Sequence, residues 1–279
     1  MRLPNLSFLA RVGQVRAIQS RYETPENRNP DHMAVRLLPG GKRLECAVRG
    51  RWFLNRLRAE PFYAYLLART RYYDQVFLDA VDRGVDHILN LGCGGDTRAY
   101  RFESRLKAHG VGVVELDQPE AIASKQALAR VRLGGGAHVT YLPLDLNAPV
   151  CPELNAWMDA HAGERWLVML EGVSPYVEKT RFEAFLRDLA RRLGPEGVLA
   201  YDFKRPEVVQ DFGRSEQTAE PFRLPADRAQ VADVHARLGY RTQHFETSAA
   251  LCSRLAGPLL ADGCPVFDED SLIQLSPSS

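Results

Sequence analysis

Residues 88–102 read ILNLGCGGDTRAYRF. An apolar run of strand character meets three glycines (Gly92, Gly94 and Gly95) and then a charged segment with helical spacing. A strand that turns at glycines into a helix brings backbone N–H groups against a ligand, because glycine tolerates both the turn and the close approach. One use of such a loop is the dinucleotide fingerprint G-x-G-x-x-G, whose third glycine allows close helix–strand packing over a pyrophosphate. Here that position holds Thr97. The shorter G-x-G-x-D form suits a nucleoside ligand without phosphates and disfavours a nicotinamide dinucleotide.

Outward from this loop the chain alternates. HILNLG, VGVVELD, AHVTYLPLD, RWLVMLEG and GVLAYDF have strand character, and TRAYRFESRLKAHG, QPEAIASKQALARVRL, CPELNAWMDAHAG and KTRFEAFLRDLARRLG between them have helical spacing. Strands separated by helices of this length give parallel βαβ units with right-handed crossovers. The end differs. After a helix near 226–238, YRTQHFETS and DSLIQLS are two alternating runs, and an antiparallel pair with no helix between them is expected to close the sheet. Residues 1–85 do not follow the alternation and are helical and aromatic-rich, as a cap over the sheet's carboxyl edge would be. The expected division is a helical cap over 1–85, a ligand-binding α/β core over 86–204, and over 205–279 a variable segment, a helix and the closing strand pair.

Composition sets bounds. The 36 basic and 35 acidic residues give a net charge of +1, so no bulk field points to nucleic acid or a membrane as partner. Five scattered cysteines without C-x-x-C spacing argue against a disulfide framework or a structural zinc, and no metal centre is expected. Arg11 and Arg16 break the N-terminal apolar pattern, and no apolar run reaches the roughly 20 residues of a membrane span. A cytoplasmic protein acting on a small-molecule substrate is expected. Nothing in the sequence speaks to its oligomeric state.

Open α/β sheets bind ligands beyond the carboxyl ends of their strands. Four such ends carry polar cues here. The first is the loop with Gly92 and Gly94. The second strand ends in Glu115-Leu116-Asp117, about 20 residues past the glycines, where an acid accepts ribose hydroxyls; alternation puts Glu115 and Asp117 on one face, and Asp117 is nearer the end. Asp145 and Leu146 follow TYLPL, where a carboxylate and a backbone amide can take an adenine amino group and ring nitrogen. Glu171 ends WLVML, and a carboxylate that terminates a buried strand must be paired or face a polar ligand such as an ammonium group.

Together these residues resemble the leucine carboxyl methyltransferase-like branch of the S-adenosylmethionine (SAM)-dependent methyltransferases. The resemblance covers roughly residues 14 to 205 and rests on ARTRYYDQV (68–76), NLGCGGDTRAYRF (90–102), VELDQPEAIASKQALA (114–129), LDL (144–146) and LEGVSPYV (170–177). It implies an α/β fold: a class I methyltransferase (Rossmann-like), mostly parallel seven-stranded sheet with an N-terminal helical cap. It implies SAM as cosubstrate or substrate, with Arg71 on the methionine carboxylate, Gly92 against the methionine part and Gly94 among the cofactor-binding residues. Asp117 would take the ribose, Asp145 and Leu146 would flank the adenine, and Glu171 would lie near the amino group. Arg16 is similar to an N-terminal basic residue that also reaches the carboxylate.

Glu171 and Tyr176 are the candidates for chemistry. Pro175 stiffens the turn after Glu171 and fixes the direction of Tyr176, whose ring face can stabilise a sulfonium by a cation–π contact. If the acceptor is a carboxylate, no general base is required; a phenol or alcohol needs one. His235 and His244 are the C-terminal histidines in question, and each is more often structural at such positions. Two reactions stay open: O-methylation of a small molecule, and cyclisation of SAM by its own α-amine to azetidine-2-carboxylate and methylthioadenosine. Outside enzymology, a SAM-binding sensor or partner subunit is the third. Acceptor specificity is expected in the cap and in residues 205–225.

Overall fold

The computed structural model describes residues 6–136, 138–207 and 220–278. Part of the segment expected to carry acceptor specificity, residues 208–219, lies outside these. Among the described residues, four α-helices precede the sheet: α1 (Leu6–Tyr22), α2 (Ala34–Leu37), α3 (Gly40–Arg58) and α4 (Phe62–Asp82). The alternating part then runs β1 (His87–Leu91), α5 (Arg98–Arg101), α6 (Glu103–His109), β2 (Gly112–Asp117), α7 (Pro119–Arg132) and β3 (Val139–Pro143). It continues through α8 (Pro152–Ala160), β4 (Trp166–Leu170), α9 (Lys179–Arg192) and β5 (Val198–Lys204). Proline opens α7 and α8, where its missing N–H costs nothing.

One seven-stranded sheet results, in the order β3-β2-β1-β4-β5-β7-β6. β1 to β5 pair in parallel, and the order reverses at β1, whose neighbours are β2 and β4. In open α/β sheets ligands bind beyond the carboxyl edge at such a reversal, and here the glycine loop follows β1 at that edge. The last elements are α10 (Arg228–Arg237), β6 (Tyr240–Thr247), α11 (Ser248–Leu255), α12 (Gly257–Ala261) and β7 (Asp270–Pro277). β7 runs antiparallel to both β5 and β6, as the two alternating runs at the end of the chain lead one to expect. The expectation of no helix between them is wrong. α11 and α12 fill the gap, and Leu251, Cys252 and Leu259 pack into the same core as α4.

Side-chain alternation divides the core. Ile88, Val113, Leu167 and Met169 face α4, α6, α7 and α11, whereas Leu89, Val114, Val168 and Leu170 face α8, α9 and α10. Covered on both faces, β4 is buried along its whole length and reads as the unbroken apolar run WLVML. No helix among the described residues is long and apolar enough to cross a membrane.

Candidate functional site

The register brings the four polar strand ends level. Leu91 pairs with Leu116, Asp117 with Pro143, and Leu170 with Tyr201, so Gly92, Asp117, Asp145 and Glu171 all emerge at the carboxyl edge. The glycine loop is anchored to β2: Gly92 N–H (2.7 Å) and Cys93 N–H (3.0 Å) both donate to the Leu116 carbonyl. Gly92 has φ +68°, and a Cβ there would lie 2.4 Å from a methyl of Val173, in the loop after β4. Only glycine fits this position without displacing that neighbouring loop. Gly94 is also left-handed, at φ +43°.

Asp117 joins the loop to the end of β2. Its carboxylate accepts the N–H of Gly94 at 2.7 Å and that of Gln118 at 2.8 Å. Each carboxylate oxygen has a further lone pair, so two acceptor positions are left for hydroxyls. Glu115, two residues back, is fully buried against Lys125 at 2.8 Å; burial pushes its carboxyl up to about 7. The two acids share a face, but only Asp117 reaches the edge.

After β3, the Asp145 carboxylate accepts the N–H of Asn147 at 2.9 Å, and Leu146 packs into the core under α8. Asn147 then bridges two loops: its amide donates to the Tyr176 carbonyl at 3.1 Å and accepts the N–H of Glu178 at 2.9 Å. Tyr176 ends a short 3-10 turn, Ser174–Tyr176, with Pro175 inside it.

Glu171 is the hub. Arg16 of α1 donates to one carboxylate oxygen, which also lies 3.2 Å from Arg69 Nε; Arg98 donates to the other at 2.8 Å. Burial pushes this carboxyl up, but Arg16, Arg98 and Arg69 outweigh it and hold it below the ordinary glutamate value. The arginines have further partners. Arg98 pairs with Asp74 at 2.8 Å and with Asp96, and Arg101 pairs with Asp74 at 2.6 Å. Thr97 donates to Asp31 at 2.5 Å, and Arg16 lies 3.7 Å from the same acid. The segment DTRAYR thus ties the glycine loop to Asp74 of α4 and to Asp31 before α2. Arg69 also donates to Asp202 at 3.3 Å, whose pKa burial raises to about 6, and its guanidinium lies 5.4 Å from the rings of Phe62 and Tyr65.

Arg71 is not part of this cluster. Its guanidinium donates to the carbonyls of Leu255 (2.6 Å), Glu26 (2.5 Å) and Arg28 (3.2 Å). Two residues along a helix rotate a side chain by about 200°, so Arg71 lies on the side of the exposed Gln75 and Asp79, whereas Arg69 shares the inner side with Tyr65 and Tyr73. Arg71, expected at the methionine carboxylate, is thus directed away from the Glu171 cluster, and the arginine of α4 that joins the cluster at the carboxyl edge is Arg69. The sequence carried the signal, since stepping by three and four from the aromatic residues selects Arg69. Arg98, Asp96, Asn147 and Asp202 went unassigned, and nothing local in the sequence reveals their long-range partners. The two histidines are elsewhere. His235 is buried in α10, hydrogen-bonded to Tyr201 (2.5 Å) and the Val231 carbonyl (2.6 Å), and His244 stacks on Tyr72 and lies 3.4 Å from Glu246.

Strand order, glycine loop and acid-bearing strand ends define a class I methyltransferase fold of the Rossmann-like kind. Within that class the chain belongs to the leucine carboxyl methyltransferase family, whose model matches residues 10–190. A Mycobacterium avium protein named by inference as a SAM-dependent methyltransferase is 31% identical over 201 residues, 67% of this chain and 64% of the relative. One from Mycolicibacterium paratuberculosis is 29% identical over 164 residues, 57% of this chain and 49% of the relative. The chain thus spans between about half and somewhat under two thirds of the length of these relatives. Among solved structures, magnesium protoporphyrin IX methyltransferase from Synechocystis with bound S-adenosylhomocysteine aligns with a TM-score of 0.49 at 13% identity, covering 85% of this chain and 98% of that one.

Proposed function

We propose that the protein binds SAM at the carboxyl edge of the sheet and transfers its methyl group to an oxygen of a small molecule. The observation that carries this is Asp117, which fixes Gly94 of the loop while keeping acceptor capacity for two ribose hydroxyls. Asp145 and Leu146 flank the adenine side. The methionine end of SAM is a zwitterion, and the hub around Glu171 is built for one. Its carboxylate exchanges onto Arg69 and Arg16 as its ammonium takes Glu171, so the buried charge stays balanced. The reaction is an in-line displacement at a methyl made electrophilic by the sulfonium, in which the protein supplies alignment and exclusion of water. The family's description, a carboxyl methyltransferase, supports a carboxylate acceptor, which is ionised at neutral pH and requires no general base.

The test has two parts. Calorimetry is expected to show binding of SAM and S-adenosylhomocysteine without competition from NAD, weakened in Asp117→Ala by about 1–3 kcal/mol; unchanged affinity in that variant overturns the ribose assignment. Product analysis by mass spectrometry then follows the methyl group. S-adenosylhomocysteine formed only with an added acceptor supports transfer. Methylthioadenosine above background from SAM alone, with an amino acid of the azetidine mass, establishes cyclisation and sinks methyl transfer as the main activity.

A further inference from the structure

At the opposite edge of the sheet, three side chains from separate elements converge. His87 is the first residue of β1, His161 follows the last residue of α8, and Glu164 lies two residues before β4. His87 pairs in register with Trp166, which brings Glu164 beside it. One ligand atom from each of the three lies within 4.8 Å of the other two. No metal centre is expected from the sequence, but the cysteine spacing behind that expectation bears only on thiolate ligands.

We propose that His87, His161 and Glu164 form a binding site for a divalent transition-metal ion, with zinc the best match to the donor set. Two imidazoles and a carboxylate are a common protein set for Zn²⁺, with one position left open for water. Three details show that the donors are preorganised. The Nδ1 of His161 lies 2.8 Å from the Trp157 carbonyl. A carbonyl only accepts, so Nδ1 carries the proton and Nε2 presents a lone pair, the usual arrangement of a metal-bound histidine. The ring of His87 is wedged: a Cβ on Gly112 would lie 2.5 Å from its Nδ1. This leaves Nε2 directed at Glu164, 2.9 Å from Oε2.

That last contact is informative because it lacks the alignment of a hydrogen bond. Glu164 Oε2 is buried and has no hydrogen-bond partner. The side chain as a whole is 41% exposed, so its other oxygen is open to water, and a cation shared with the imidazole lone pairs would satisfy the enclosed oxygen. Trp157 stacks on His161 at 4.1 Å and meets His87 edge-on at 5.0 Å, which shields one side. The site joins the amino ends of β1 and β4 to α8, so the ion would clamp these elements rather than meet the cofactor edge.

Trp157 provides the readout. The full chain, stripped with a chelator and dialysed, is titrated with Zn²⁺ by calorimetry and with Cu²⁺ by tryptophan fluorescence. The expected result is a single equivalent of Zn²⁺ bound at micromolar or tighter affinity, and Cu²⁺ quenching that Trp157→Phe largely removes. His161→Gln and the half-exposed Glu164→Gln should each weaken Zn²⁺ by roughly 10–100-fold with unchanged far-UV circular dichroism. His138→Gln, which removes a separate histidine–glutamate pair with Glu103 at 3.6 Å, should leave binding intact. The proposal is overturned if no equivalent binds below about 100 μM, if Glu164→Gln binds as tightly as the wild type, or if His138→Gln is the variant that loses the ion.

Discussion

Replacing Arg69 and Arg71 by lysine, one at a time, separates two roles that the neighbouring arginines of ARTRYYD conceal. Arg69 reaches two carboxylates at once, Glu171 at 3.2 Å from Nε and Asp202 at 3.3 Å from a terminal nitrogen. A lysine ammonium is a point donor on a different reach and cannot span both. Arg69→Lys therefore forfeits at least one charge-assisted contact, about 1.5–3 kcal/mol, and SAM affinity should fall roughly 10–150-fold. Arg71 instead donates to three main-chain carbonyls that hold α4 to residues 26–28 and to the end of α11. Arg71→Lys loses most of these bonds but touches no group at the cofactor edge. Its cost of about 1–3 kcal/mol should appear in stability, as a fall in Tm of about 2–4 °C per kcal/mol, with affinity changed less than threefold. Calorimetry with S-adenosylhomocysteine and a thermal melt on both variants decide the matter. Tight binding by Arg69→Lys together with lost binding by Arg71→Lys would refute the placement of Arg69 in the cofactor site.

Three further outcomes follow from the geometry. Gly92→Ala forces a left-handed alanine, at about 1–2 kcal/mol, and drives a methyl into Val173, so SAM binding should be lost in a folded protein; Val173→Ala in the same chain should recover part of it, and normal binding by the single variant would remove the loop from the site. Asn147→Ala deletes the bridge between the loops after β3 and β4, two bonds worth about 1 kcal/mol each, and a melt showing no loss would mean that the loops hold without it. His235 is buried neutral, with its pKa lowered to about 4 by desolvation. Its contribution is complete above the unfolded value near 6.5 and is lost as pH falls toward 4, up to about 3 kcal/mol. Asp202 and Glu115, whose folded values are raised to about 6 and about 7, work in the opposite direction over that range. The check is therefore a difference: denaturant titrations from pH 7 to 4.5 should show a shallower acid limb in His235→Gln than in the wild type, and parallel limbs would contradict the assignment.

Strand existence and the parallel-then-antiparallel pattern were legible because burial on both faces writes itself as apolar runs, and the turn at Gly92 as glycines. The two short helices before β7 were not. Their segment, SAALCSRLAGPLL, interrupts its helical spacing with Gly257 and Pro258, and these residues begin a second helix rather than end the structure. The strand-end acids were legible for a similar reason. A carboxylate at the end of a buried strand has few places to go, and the parallel register leads Asp117, Asp145 and Glu171 to one edge.

The arginines resisted for a different reason. Position along a strand fixes a side chain's destination, but position along a helix fixes it only once the phase of the helix is known. In α4 nearly every residue from Tyr63 to Tyr73 is apolar, aromatic or arginine, so composition alone gives the phase weakly. What settles it is Glu171, far along the chain, whose burial is outweighed by three cations around it that hold its carboxyl below the ordinary value. Arg16, Arg69 and Arg98 are bound to that carboxylate from three separate elements, α1, α4 and α5. All three are buried around one carboxylate, so the site is a property of the assembled charges. A zwitterionic ligand can replace contacts within such a set, whereas a ligand of single charge would leave one member unpaired. On the proposed reading, that would select the amino-acid end of SAM more stringently than any one arginine does.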